Sequence, residues 1–148
     1  MNRYAFLQVD VFTRQPFGGN QLAVFIDGRG LTTGQMQSLA REMNFSETTF
    51  VLPPEMPGCH KKVRIFTPAV EMPMAGHPTV GTAAALAQRG LVDLPDGQAM
   101  TLELGIGPVR VDLEPRGAGA PFVWMNHRLP QFSEFERSRK AAASALGL

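Results

Sequence analysis

Glu47 is the residue whose neighbours best suit it to moving a proton. It sits in the run Asn44-Phe45-Ser46-Glu47-Thr48-Thr49-Phe50, which alternates like a strand, with Phe45 and Val51 on its side of the pleat. A carboxylate held among apolar groups is pushed toward neutrality, the range a general acid or base needs near pH 7. An exposed strand glutamate would show the same spacing, so the residues alone leave both readings open.

A second group with chemical potential is Gly76-His77-Pro78-Thr79. These residues open a helix, and a helix N-terminus offers unpaired N–H groups and the positive end of the helix dipole. Gly76 would let a ligand approach the backbone. His77 would hydrogen-bond a substrate or hold a proton in transfer. A capped helix with a structural histidine fits the same four residues. The Pro16-Phe17-Gly18-Gly19-Asn20 segment would offer backbone donors and an amide to a ligand, or be a plain turn. His60 and His127 read as surface residues, and the three histidines share no metal-ligand spacing. Cys59 follows Pro57-Gly58 with no activating partner and reads as a bystander. Gly105-x-Gly107 reads as a hairpin turn, and neither G-x-G-x-x-G nor a P-loop occurs.

The elements that must position these residues follow from periodicity. Strands are expected over 4–11, 21–26, 45–52, 62–66, 100–104, 109–113 and 122–125. The first two should form a hairpin around the loop 13–20, and the fifth and sixth another around 105–108. A helix is expected over 31–44, with Thr32 or Thr33 as its N-cap, Met36, Leu39, Ala40 and Met43 as its apolar stripe, and Asn44 at its left-handed end. A second helix over 79–88, with Pro78 at its first position and Gly90 after its end, is small and apolar on nearly every side. Such a helix must be buried, and its small side chains let the surrounding backbone come close. Ser138 to Leu146 could start a further helix. The sum is α+β.

Bulk properties narrow the function classes. The 148 residues are about one domain, 44% apolar and 18% charged, with a net charge of +1. Lys61, Lys62 and Arg64 are the nearest approach to a basic cluster and read as the solvated face of a strand, so no nucleic-acid partner is expected. No apolar run approaches the roughly 18 residues that cross a bilayer. One cysteine cannot build a disulfide framework, and Met1-Asn2-Arg3-Tyr4 runs straight into strand pattern, so the cytoplasm is the expected compartment.

Together these segments resemble the PhzF-like isomerases of phenazine biosynthesis. Val9-Asp10-Val11-Phe12 is similar to the start of the family's chains, and Gly19-Asn20 to its Gly-Asn loop, with Gln21 where the family often has Pro. Met43 to Phe50 resembles its glutamate motif. Arg64-Ile65-Phe66-Thr67-Pro68 and Glu71-Met72-Pro73-Met74-Ala75-Gly76-His77-Pro78-Thr79 resemble its second signature. The resemblance implies a half of a diaminopimelate-epimerase-like fold, a curled mixed or antiparallel sheet around a buried central helix, with the active site in a cleft between two such halves. It implies Glu47 and His77 as catalytic residues, and Asn20, Ser46, Gly76, Pro78 and Thr79 as substrate contacts. It implies no metal or organic cofactor. The family reaction in phenazine synthesis isomerises trans-2,3-dihydro-3-hydroxyanthranilate. Related racemases use two cysteines, one beside the central helix; Ala75-Gly76-His77 has none there, which argues against two-thiol chemistry.

The family's chains are roughly twice this length. Residues 1–128 are therefore expected to form the N-terminal domain, and 129–148 the linker and the start of a second half. Two readings follow: an isomerase half acting on a small-molecule substrate with a complementary second half or a second copy, or a non-catalytic half-domain that dimerises and binds a ligand or partner.

Overall fold

A computed structural model describes residues 3–94, 99–117, 119–127, 129–132 and 138–148. Among these, eight strands form one sheet: β1 (Phe6–Val11), β2 (Asn20–Phe25), β3 (Glu47–Leu52), β4 (Lys61–Phe66), β5 (Glu71–Met72), β6 (Ala99–Leu104), β7 (Gly107–Glu114) and β8 (Phe122–Met125). Three helices accompany them: α1 (Thr33–Met43), α2 (Gly76–Gln88) and α3 (Arg139–Ala145). The strand order is β1-β2-β3-β4-β6-β7-β8, with β5 paired to β4 alone. The β2–β3 and β4–β6 pairs are parallel and the rest antiparallel. The two parallel pairs are the ones joined through α1 and through α2, as a parallel connection requires a crossover.

The expected α+β architecture is what the structure has. The sheet curls until strands from both of its ends, β1 and β8, pack against α2. One face of the sheet supplies Val11, Leu22, Val24, Val51, Val63, Ile65, Leu102 and Val111 to a core closed by Ala83, Ala85 and Leu86 of α2. Ala84 is half-buried. Gly81 is where the helix comes closest to the sheet: a Cβ there would lie 2.6 Å from Val11 Cγ2 and 2.8 Å from Leu22 Cδ2. Leu86 is fully buried, so Leu86→Ala is expected to cost about 2–5 kcal/mol. A denaturant titration would show it as a lower midpoint at unchanged slope.

The opposite face is covered by α1 through Met36 and Ala40, over Ala23, Phe25, Phe50 and Phe66. Phe25 stacks on Phe50 with centroids 4.8 Å apart, and Phe66 meets Phe50 edge-on at 5.5 Å. Thr32 caps α1 in a full capping box with Gln35, and Asn44 ends it at φ 53°.

Several expectations are corrected. α2 begins at Gly76 with Ala75 as N-cap, so Pro78 occupies the third helical position rather than the first. The first-turn N–H groups have no intrahelical acceptor, and a proline costs little there. α2 closes with Gly90 at φ 61°, whose N–H donates to the Ala87 carbonyl while the Leu91 N–H reaches Leu86. β5, two residues long, is too short to alternate and was not expected. Lys62 and Arg64 are half-buried and committed to carboxylates, not a solvated face. His60 is half-buried: its Nδ1 accepts the Thr101 N–H at 3.0 Å, and its own N–H donates to the Thr101 carbonyl. α3, capped by Ser138, buries none of its residues.

The seam between β4 and β6 has only two register pairs, Lys61 with Leu102 and Lys62 with Glu103. Glu103 reinforces it. Its side chain is almost fully buried, and its Oε2 accepts the N–H groups of Glu55 at 2.7 Å and Met56 at 2.9 Å, while Lys62 Nζ lies 3.4 Å from Oε1. Burial raises the pKa of this carboxyl, but the two N–H groups and Lys62 outweigh it and hold the group below its ordinary value. The folded chain thus binds this proton less tightly than the unfolded chain. Glu103's contribution is complete above about pH 4.5 and is lost as pH falls below that value. Unfolding titrations from neutral to acid pH should show this decline, and Glu103→Gln should remove Glu103's share of it.

Candidate active site

Glu47 is the first residue of β3, not a mid-strand residue, and it pairs with Leu22 of β2. Leu22 points into the core beneath α2, and so do Thr49 and Val51, two and four residues after Glu47. Glu47 therefore meets the N-terminal turn of α2. Its Oε2 lies 3.3 Å from His77 Nε2. The Glu47 side chain is 19% exposed and that of His77 10%. Both facing atoms are buried, and neither has a hydrogen-bond partner among the described residues. Two residues further along β3, Thr49 Oγ1 and Thr82 Oγ1 lie 2.9 Å apart and tie the strand to the next turn of α2.

The helix end adds donors. Gly76 and His77 occupy the first two helical positions, where N–H groups have no intrahelical acceptor. Pro78 has no N–H, and its ring is buried. Thr79 is fully buried, and its hydroxyl donates to the Ala75 carbonyl at 2.7 Å, so that hydroxyl is already used inside the protein. Gly76 is exposed, and a Cβ there would meet nothing within 4 Å. The helix end thus presents two backbone N–H groups, an accessible glycine and the dipole's positive end beside a carboxylate and an imidazole.

Asn20 and Ser46 lie next to this point. Both are exposed, and Ser46 Oγ donates to Asn20 Oδ1 at 3.0 Å. They line an open depression of about 300 Å³ with Asp10, Phe17, Phe45 and Asn44; Glu47 and His77 stand outside it. Asp10 Oδ2 accepts the Phe17 N–H at 2.7 Å, which pins the β1–β2 loop. Phe12 and Phe17 have φ of 65° and 66°, and both are largely exposed. Gly19 is required there, because a Cβ would fall 2.4 Å from the Val11 carbonyl oxygen.

Asp10, Thr49 and Thr82 were not singled out in the sequence. Asp10 is marked only by its place in the Val9-Asp10-Val11-Phe12 resemblance, which assigns it no contact, and the threonine pair joins positions 33 residues apart. Cys59 is half-buried in the 53–60 loop, and burial pushes its thiol up, with Glu103 adding to the effect. Among the described residues no three of His, Cys, Asp and Glu come together as a metal site would need. No helix among the described residues is long and apolar enough to cross a membrane.

Comparison with known proteins gives a consistent result. An uncharacterized isomerase of Mesorhizobium japonicum is 47% identical over 97% of this chain and 47% of its own length. The trans-2,3-dihydro-3-hydroxyanthranilate isomerase of Pseudomonas aeruginosa is 40% identical over all of this chain and 50% of its own. The chain spans about half the length of the curated relatives it matches. In three dimensions it is similar to the crystal structure of a Bacillus anthracis phenazine biosynthesis protein of the PhzF family, with a TM-score of 0.76 and 35% identity over 94% of this chain and 45% of that one. A probable proline racemase of Agrobacterium radiobacter shares the fold at a TM-score of 0.62 and 18% identity, over 80% of this chain and 39% of that one. The family model described as phenazine biosynthesis-like protein matches residues 9–148, and the chain belongs to that family, PhzC-PhzF.

Proposed function

We propose that this chain is the N-terminal half of a PhzF-type isomerase that moves a proton on a small, carboxylate-bearing substrate similar to dihydrohydroxyanthranilate. The observation that carries this reading is the Glu47–His77 contact at 3.3 Å, with both facing atoms buried and otherwise unbonded, at the end of a helix with two free N–H groups. Glu47 takes a proton from one carbon of the substrate, the double bond shifts, and the proton is returned at another carbon. No net oxidation occurs. The carboxylate of the substrate sits against the N–H groups of Gly76 and His77, where the helix dipole favours an anion. His77 holds the carboxyl of Glu47 in place and shares the proton in transfer. Asn20 and Ser46 contact the polar groups of the substrate from the β2–β3 side. Pro78 and Thr79 shape the helix end from within, through a buried ring and a hydroxyl that satisfies the Ala75 carbonyl.

The site needs a second wall. Gly76 is exposed, and Phe17 beside the depression is 95% exposed. A second half of family length, or a second copy of the chain, would cover this side and exclude water from Glu47. The experiment is isomerisation of trans-2,3-dihydro-3-hydroxyanthranilate and a panel of small cyclic carboxylates, followed by NMR, with residues 1–148 carried in a protein completed by a second half. Proton movement on at least one carboxylate is expected. A completed, folded protein that moves no proton on any of them would contradict the reading.

A further inference from the structure

We propose that Arg64 and Glu71 form a positioning pair that sets His77 against Glu47. The inference rests on the proton-transfer reading above and concerns residues that do not touch the substrate. α2 starts without help from its own N-cap: Ala75 has no side chain to bond the first-turn N–H groups. The seat at Gly81 places the helix as a whole, and the fine placing of His77 in its first turn depends on the segment that leads into the helix. Besides its pairing with β4 and the packing of Met74 and Ala75 against the core, that segment is held at two points. Glu71, on β5, is gripped by the guanidinium of Arg64 on β4, with Nε to Oε1 at 2.7 Å and Nη2 to Oε2 at 2.6 Å. Two residues on, Pro73 lies against Gly105 so closely that a Cβ there would fall 2.8 Å from Pro73 Cα.

The Arg64 end of the pair is itself well tied. Its guanidinium donates to Thr33 Oγ1 at 3.1 Å at the start of α1, and it sits over the Phe66 ring at 5.1 Å from the centroid. Arg64 is 21% exposed and Glu71 37%, so as a contribution to overall stability the pair is minor. Its geometry is the informative part. The two-pronged fork fixes direction as well as distance, and β5 has only two register pairs with β4, Ile65 with Met72 and Phe66 with Glu71. Without the fork, β5 is held at that edge by two residues, and the first turn of α2 can shift by a fraction of a turn while Gly81 and the Thr49–Thr82 contact hold the rest of the helix in place. A shift of that size leaves the core of α2 buried but separates two side chains that meet at a single 3.3 Å contact.

The test uses the 148-residue chain with its histidines isotopically labelled. The His77 ring signal is compared in the parent and in Glu47→Gln; its response measures the contact. The same pair of measurements is then made in a Glu71→Gln background. The expected result is that the His77 signal moves in Glu71→Gln and no longer responds to Glu47→Gln, while the unfolding midpoint and the core amide spectrum stay close to the parent's. Exchanging the charges, Arg64→Glu with Glu71→Arg, should restore part of the response. A His77 signal that still responds fully to Glu47→Gln in the Glu71→Gln background would overturn the proposal. So would the absence of any response in the parent. If Glu71→Gln does not fold, Arg64→Lys, which keeps the charge and loses the fork, is read the same way; loss of folding in both would make the pair a general fold determinant and refute its specific role. The measurement reads geometry and not turnover. Failure of the proton-transfer reading would instead show as full activity of Glu47→Gln in the completed protein, whatever the His77 signal does.

Discussion

Replacing Glu47 by Gln is expected to slow turnover by the completed protein about 100-fold or more. Gln keeps the size of the side chain and one carbonyl oxygen, but it cannot accept the substrate's proton. The backbone of the site is kept, because β3 pairs with Leu22 through its main chain, and among the neighbouring side chains the change is felt at His77, which faces Glu47 at 3.3 Å. The N–H groups of Gly76 and His77 remain available, so substrate binding should change little. Steady-state kinetics should therefore show kcat and kcat/KM falling together, the pattern of an interaction made only on the way to the transition state. Unchanged turnover would remove Glu47 from its role.

The 148-residue chain alone is expected to turn over the same substrate about 1000-fold or more slowly than the completed protein. Orientation within an enclosed site supplies roughly 7–11 kcal/mol of barrier reduction in well-ordered cases, and one wall forfeits much of it. Water reaching Glu47 would add to the loss by weakening every electrostatic contact in the site. The comparison is a rate measurement on both proteins at matched concentration, with the mass in solution determined alongside. Full-rate turnover by a monomer of 148 residues would refute the need for a second wall. Full-rate turnover by a dimer would identify a second copy as that wall.

The sequence reveals the parts whose cause is local. Gly-Thr-Ala-Ala-Ala-Leu-Ala within α2 can only be a buried helix, and it is the helix around which the sheet curls. The capping box of Thr32 with Gln35 and the left-handed Asn44 bound α1 within two residues of expectation. The hairpins β1–β2 and β6–β7 follow from alternation and turn residues. What depends on distant partners was less visible. The half-buried setting of His60 comes from Thr101, 41 residues away. Lys62 and Arg64 alternate with apolar residues as surface charges would, and only the folded chain brings Glu55, Glu103 and Glu71 to them. Pro78 suggested a helix start by its fixed φ, but the first turn tolerates proline at more than one position, and the start lies two residues earlier.

The candidate site divides in the same way. Glu47 and His77 were legible as residue types on recognisable elements, yet they are 30 residues apart, and it is the parallel β2–β3 pairing and the close seat of α2 at Gly81 that make them neighbours. Thr79 shows the opposite case. Its position in the motif suggests a substrate contact, and its hydroxyl is spent on the Ala75 carbonyl.

The most direct test of the central claim separates binding from chemistry in one pair of samples. Substrate affinity and the single-turnover rate of isomerisation are measured for the completed protein and its Glu47→Gln variant. A dissociation constant that stays within a few-fold, with the single-turnover rate falling about 100-fold or more, is the predicted result. A variant that binds and isomerises as fast as its parent would contradict it.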